Sequence, residues 1–188
     1  MTLKGHIKIY ELVNPGRVLF EQDNLIVNSS AYLFARLLAN SLEPAFGVWG
    51  LAIGAGGSGS NGWSATQQPD PVPTDSALVS EIMRKRFTSA SFLDVNGNPT
   101  SNFTTTVLFQ TVLNATTDNI QVPIREMGLI GGGTNVGTPT NMTTAPYFDP
   151  TNPAAQPGSV ILINYKTLAA FYLPAQTSVA IDWSLACA

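Results

Sequence analysis

The chain has 188 residues, of which 11% are charged, with 12 acidic against 9 basic side chains and a net charge of -3. Ordinary soluble domains carry about 25% charged residues, and the acidic balance excludes the basic footprint of a nucleic-acid binder or of a protein drawn to anionic membranes. Hydrophobic residues reach 44%, which excludes intrinsic disorder, and no run approaches the ~18 apolar residues of a membrane span.

Residues 5–13 alternate, with Ile7, Ile9, Glu11 and Val13 on one face. Asn14-Pro15-Gly16 supplies a turn, because proline presets φ and glycine takes a left-handed position. Arg17-Val18-Leu19-Phe20 resumes as a second strand, so residues 1–27 read as an N-terminal hairpin. Its apolar face makes it a docking arm able to add to a neighbour's sheet, with Ile7, Ile9 and Tyr10 as contact residues. The rest, 28–188, reads as one β-rich domain.

Asn28-Ser29-Ser30 offers N-caps for a helix over about 30–42, where Ala31, Phe34, Ala35, Leu38 and Leu42 recur at helical spacing, with Leu33 and Leu37 widening the stripe. Val48–Ile53 is apolar on both faces, as a strand inside a sheet should be. A long loop is expected at about 55–74, followed by a short helix capped by Thr74-Asp75-Ser76 and carrying Leu78, Val79 and Ile82. Arg84-Lys85-Arg86 reads as a solvated start of an extended segment, and Asn96-Gly97 as a hairpin turn. Phe103–Asn114 alternates, Ile124–Ile130 reads as another strand, and a second long loop covers 131–159. Val160–Tyr165 and Thr177–Leu185 close the chain, with Val179, Ile181, Trp183 and Leu185 facing one way. The sum predicts a mostly β protein, an antiparallel β-sandwich with one packed helix and long loops.

No pattern of residues specifies an enzyme. Gly54-Ala55-Gly56-Gly57-Ser58-Gly59 matches G-x-G-x-x-G, but that fingerprint needs a helix after its last glycine to hold a pyrophosphate. Here Gln67-Gln68-Pro69-Asp70-Pro71 follows, and no helix runs through it. The stretch reads as a flexible exit from a strand, so no cofactor is expected. His6 is the one histidine and Cys187 the one cysteine; they give no zinc spacing, no disulfide and no nucleophile–base pair. The start lacks the apolar core of a signal peptide, which predicts a soluble protein without a visible export signal. Arg125-Glu126, among apolar neighbours, reads as an outward-facing pair or a partly buried ion pair with a structural role. Trp63, Tyr147 and Phe148 fall in the long loops, where three readings stay open: tucked-in anchors, contacts for a neighbouring subunit, or a sugar-stacking platform.

Several segments occur in a familiar order. Asn24-Leu25-Ile26-Val27-Asn28-Ser29 leads into the helix, followed by Leu51-Ala52-Ile53-Gly54 with its glycine-rich tail. Then come Thr74-Asp75, Leu78, Glu81 and Arg84, then Ile124-Arg125-Glu126-Met127-Gly128-Leu129-Ile130, and finally Asp182-Trp183-Ser184-Leu185. This order, over roughly 20–185, resembles virion proteins of tailed bacteriophages, of the tail or neck (collar) fibre or baseplate type. The chain departs from the pattern at Ala55, in the insertion at 131–159, and in lacking a repetitive shaft. The resemblance implies a non-enzymatic structural protein of the virion, assembled in the bacterial cytoplasm as a homo-oligomer, often a trimer, against other virion proteins. The alternative is a carbohydrate- or receptor-binding module that contacts a host surface glycan through Trp63 and the loop aromatics.

Overall fold

The computed structural model describes residues 2–39, 47–57, 63–64, 68–133, 137–138, 141–142, 145–152, 158–173 and 176–187. Along the chain run β1 (Leu3–Glu11), β2 (Val18–Ile26), α1 (Ser30–Ala39), β3 (Val48–Gly54), β4 (Glu81–Arg86), β5 (Ser89–Leu93) and β6 (Pro99–Thr100). They continue with β7 (Thr106–Asn114), β8 (Ile124–Gly132), β9 (Gly137–Thr138), β10 (Asn141–Met142), β11 (Val160–Phe171) and β12 (Ser178–Cys187). Among the described residues every pairing between these strands is antiparallel, so the mostly β class with one packed helix is observed. Among the described residues, no helix is long and apolar enough to cross a membrane.

The chain forms two compact units built from interleaved segments, Met1–Asn24, Phe87–Pro123 and Tyr172–Ala188 in one, Leu25–Arg86 and Ile124–Phe171 in the other. The first unit is a sheet in the order β2-β1-β12-β7-β5-β6. The N-terminal hairpin is therefore no separate arm. Its turn forms, with Arg17 N–H donating to the Asn14 carbonyl at 2.9 Å, although Gly16 does not take the left-handed φ expected of it. But β1 pairs with β2 on one edge and with β12 on the other, and Ile7 and Ile9 are buried in the core beside Val179, Ile181 and Trp183. A strand with both edges occupied has no free backbone groups to offer a neighbour's sheet. Tyr10 is half-buried and donates to Asp182 at 3.3 Å. His6 lies at the surface between Asp23 (2.9 Å) and Glu21 (3.4 Å), across the β1–β2 pair. The Asn96-Gly97 turn also forms: Gly97 takes φ 81° and donates to the Asp94 carbonyl at 3.0 Å, while Asp94 Oδ1 accepts from the N–H groups of Asn96 and Asn98.

In the second unit the order is β4-β3-β8-β11, and the last two residues of β2, Leu25 and Ile26, pair with Tyr165 and Asn164 of β11. β3 and β8 are buried almost throughout, as their double-sided apolar sequences require. Trp49, Ala52, Ile130, Leu162 and Tyr165 pack with Val27 and Leu78 into one cluster. Helix α1 lies against β11. Its buried contact is Leu33, which sits where a side chain at Gly131 would have to go. The stripe expected through Ala31, Ala35 and Leu38 is instead exposed, Leu38 at 89%. Ser29, just before the helix, is buried with Ser30 and Leu33, and its hydroxyl donates to the Leu162 carbonyl at 2.6 Å, which pins this end of α1 to β11.

Two further expectations change. The short helix over 75–82 does not form: Glu81–Arg86 is a strand on β3, and the residues before it are irregular. The backbone N–H groups of Val79 and Ser80, which a helix would use internally, donate to the Glu126 carboxylate instead. The loop at 131–159 is also more structured than expected, since β8 runs on to Gly132, β9 pairs with β10, and Tyr147 bridges to Val160. Leu42 and residues 58–62 of the glycine-rich stretch lie outside the described residues.

Candidate functional site

On one face of the second unit, Gly54 of β3 and Thr167 of β11 are the register partners of Glu126 on β8. Glu126 is fully buried, an arrangement that is costly unless each oxygen finds donors. Both do. Oε1 accepts from the backbone N–H of Ser80 at 2.7 Å and of Gly56 at 3.1 Å. Oε2 accepts from the N–H of Val79 at 2.9 Å and from the Tyr165 hydroxyl at 2.5 Å. The carboxylate thus ties together three segments distant in sequence: the exit of β3, the entry to β4, and β11. Its bonds are charge-assisted, the strong kind in a low-dielectric interior. Arg125 points elsewhere, with Nη1 donating to the Gly57 carbonyl at 3.4 Å. The expected Arg125–Glu126 pair is therefore replaced by a carboxylate held by backbone and phenol.

The described part of the glycine-rich exit, residues 54–57, is closely packed rather than loose. A side chain at Gly54 would enter the space of the Glu126 carboxyl, and one at Gly57 would lie 2.7 Å from Trp63 Cγ. Gly56, at φ 68°, would collide with the same indole. The missing side chains let an aromatic ring and a carboxylate approach the backbone, which is a packing use of glycine.

A second polar cluster sits beside the first. Arg84 is almost fully buried rather than solvated. It donates from Nε and Nη2 to Glu81 at 2.7 and 3.3 Å and from Nη1 to the Ala145 carbonyl at 2.8 Å, and it lies 4.9 Å from the Tyr147 ring centre. Such forked ion pairing with a cation–π contact suits arginine and not lysine.

Of the six residues expected to make partner contacts, five are placed in or near the core. Ile7 and Ile9 belong to the first unit's core. Trp63 and Phe148 are buried in the second, Phe148 against Tyr32 at 4.6 Å between ring centres, and Tyr147 packs on the apolar cluster. The loop aromatics are thus tucked-in anchors, and they present no exposed stacking platform. Trp63 does reach one open feature, a cleft of about 270 Å³ that it shares with Asp70, Val72, Asp75, Tyr165 and Thr167. Sequence reasoning did not single out Glu126, Tyr165 or Arg84 as a site, although a carboxylate inside Ile-Arg-Glu-Met-Gly is an anomaly that burial rules flag.

Burial pushes the Tyr165 hydroxyl far above the usual phenol range, helped by its hydrogen bond to Glu126 and by that group's charge. Burial does the same for Tyr147, with the Glu81 carboxylate next in importance. Both phenols keep their proton in the folded chain at a pH where the unfolded chain loses it. Their contribution is therefore complete below about pH 10 and falls as the pH rises beyond it, by about 1.4 kcal/mol per unit for each. In a phenolate absorbance titration, Tyr147 and Tyr165 are expected to stay silent until a cooperative alkaline unfolding step. Free ionisation of all five tyrosines in the folded protein would contradict this placement.

No protein-family model matches the chain, and no curated protein is similar to it in sequence.

Proposed function

We propose that the protein is a non-enzymatic structural and assembly component of a tailed-phage virion, of the neck, tail or baseplate type. The observation that carries this reading is where the segments resembling those proteins fall. The end of β3, the Leu78–Arg84 segment and β8 are separate in sequence but adjacent in the second unit, tied together by Glu126, and Leu25 and Ile26 pair with β11 of the same unit, whereas Asp182–Leu185 belongs to β12 of the first. A shared order of short motifs is expected where they build one common scaffold. The Glu126 oxygens each hold two internal donors, which suits a structural carboxylate better than an acid–base catalyst.

Several large apolar side chains stand in solvent, among them Val13 at 85%, Phe103 at 90% and Tyr172 at 66% exposed. With so few charges to keep copies apart, this surface favours association. The purified chain is expected to sediment as a homo-oligomer, a trimer first, and to be found in particles of the phage that encodes it by mass spectrometry. A strictly monomeric chain at high concentration, together with its absence from purified particles, would overturn the reading.

A further inference from the structure

The cleft in the second unit has a definite chemical character. Its walls are the Trp63 indole, Val72 and the Tyr165 ring, with Thr167 beside them, and the charged groups that line it are Asp70 and Asp75. Among the described residues, no lysine, arginine or histidine lines it. Behind the Tyr165 ring the hydroxyl meets the buried Glu126 carboxylate at 2.5 Å, a further acidic group next to the cleft. The Asp75 charge reaches Tyr165 as well, where it is one of the causes that raise the phenol's pKa.

The walls are fixed rather than adaptable. Trp63 lies on the backbone of Gly56 and Gly57. Asp75 is held by a tight turn, accepting from the Val72 N–H at 2.8 Å while its own N–H donates to the Val72 carbonyl at 3.0 Å. Thr167 donates to the Pro69 carbonyl at 2.9 Å, which ties the loop to β11. A preformed site loses little ordering entropy on binding. At about 270 Å³ it falls just below the roughly 300–1,000 Å³ of pockets that enclose whole small molecules. It matches a single long side chain inserted from outside.

We propose that this cleft receives a lysine side chain of a partner protein, with the aliphatic stem against Trp63, Val72 and Tyr165 and the ammonium against Asp75 and Asp70. Aromatic walls with carboxylates at hand recognise an alkylammonium twice, by contact with its methylenes and by charge. The net charge of -3 also favours encounter with a basic partner. This assignment stands on the cleft alone and holds for any partner class.

Titration of the full chain with capped lysine, followed by ligand-observed NMR, tests it. Capped norleucine serves as the isostere without the charge, and butylamine as a free amine. Saturable binding of capped lysine is expected, about tenfold weaker for norleucine, as one charge-assisted contact of about 1.4 kcal/mol implies. Asp75→Asn keeps an oxygen for the Val72 N–H and should lose about tenfold in lysine affinity; the exposed Asp70→Asn should lose less and guards against misfolding of the first variant. Equal binding of norleucine and lysine, no saturable binding, or affinity unchanged in both variants would each overturn the proposal. Butylamine carries the same stem and ammonium and is expected to bind about as tightly as capped lysine; no saturable binding of butylamine would also overturn the proposal.

Discussion

Replacing Glu126 with alanine is expected to destabilise the protein by about 3–5 kcal/mol, measured by urea unfolding of the purified chain. Four donors converge on this carboxylate: the N–H groups of Gly56, Val79 and Ser80 and the Tyr165 hydroxyl. Each buried donor left without a partner costs about 1–3 kcal/mol, and water entering the vacated space restores part of that. Against a typical total of about 5–15 kcal/mol, the loss is large. Melting should fall by about 2–4 °C for each kcal/mol in a chain of this size. Glu126→Gln is the sharper variant. Its amide oxygen still accepts from Gly56 and Ser80, but its NH2 then faces the Val79 N–H, a donor against a donor. A cost of about 1.5–3 kcal/mol is expected. Full stability in the glutamine variant would show that the negative charge does not organise these segments.

The reason this site was hidden in the sequence is that three of its four donors are backbone groups. Side-chain spacing reports nothing about which N–H of Val79, Ser80 or Gly56 turns toward a carboxylate. The helical spacing of Leu78, Val79 and Ile82 was real, yet tertiary bonding to Glu126 overrode it and left the segment irregular before β4. What was legible rests on local chemistry. The Asn14-Pro15-Gly16 and Asn96-Gly97 turns form where expected, Gly97 in the left-handed region and Gly16 outside it. The alternation of Val179, Ile181, Trp183 and Leu185 gives one buried face of β12. The apolar run before Gly54 is a central strand. Alternation failed at Phe103, which shares its parity with Phe109 and Leu113 but lies before β7 begins and is exposed. Periodicity also could not tell an apolar arm that seeks a neighbour from one already paired on both edges, as β1 is.

Gly56→Ala is expected to cost about 2–4 kcal/mol, because it combines two penalties. Gly56 holds φ 68°, a left-handed conformation that costs an L-residue roughly 1–2 kcal/mol. Its new methyl would also collide with the Trp63 ring, and overpacking of a filled site costs about 1–3 kcal/mol. Gly97→Ala separates the terms: Gly97 has φ 81° with nothing within 4 Å of an added Cβ, so only the backbone penalty of about 1–2 kcal/mol applies. Trp63→Ala in the Gly56→Ala background should relieve the collision, and the double variant should lose less than the sum of the two single losses. Equal costs at Gly56 and Gly97 would show that the indole does not rest on the glycine. The distinction matters for the meaning of the glycine-rich stretch. Its spacing resembles a cradle for a phosphate, and one of its N–H groups does hold an anion, at 3.1 Å from Gly56 N to Glu126 Oε1. That anion belongs to the chain itself, so the conformational freedom of the glycines is used to close the fold around a carboxylate and an indole.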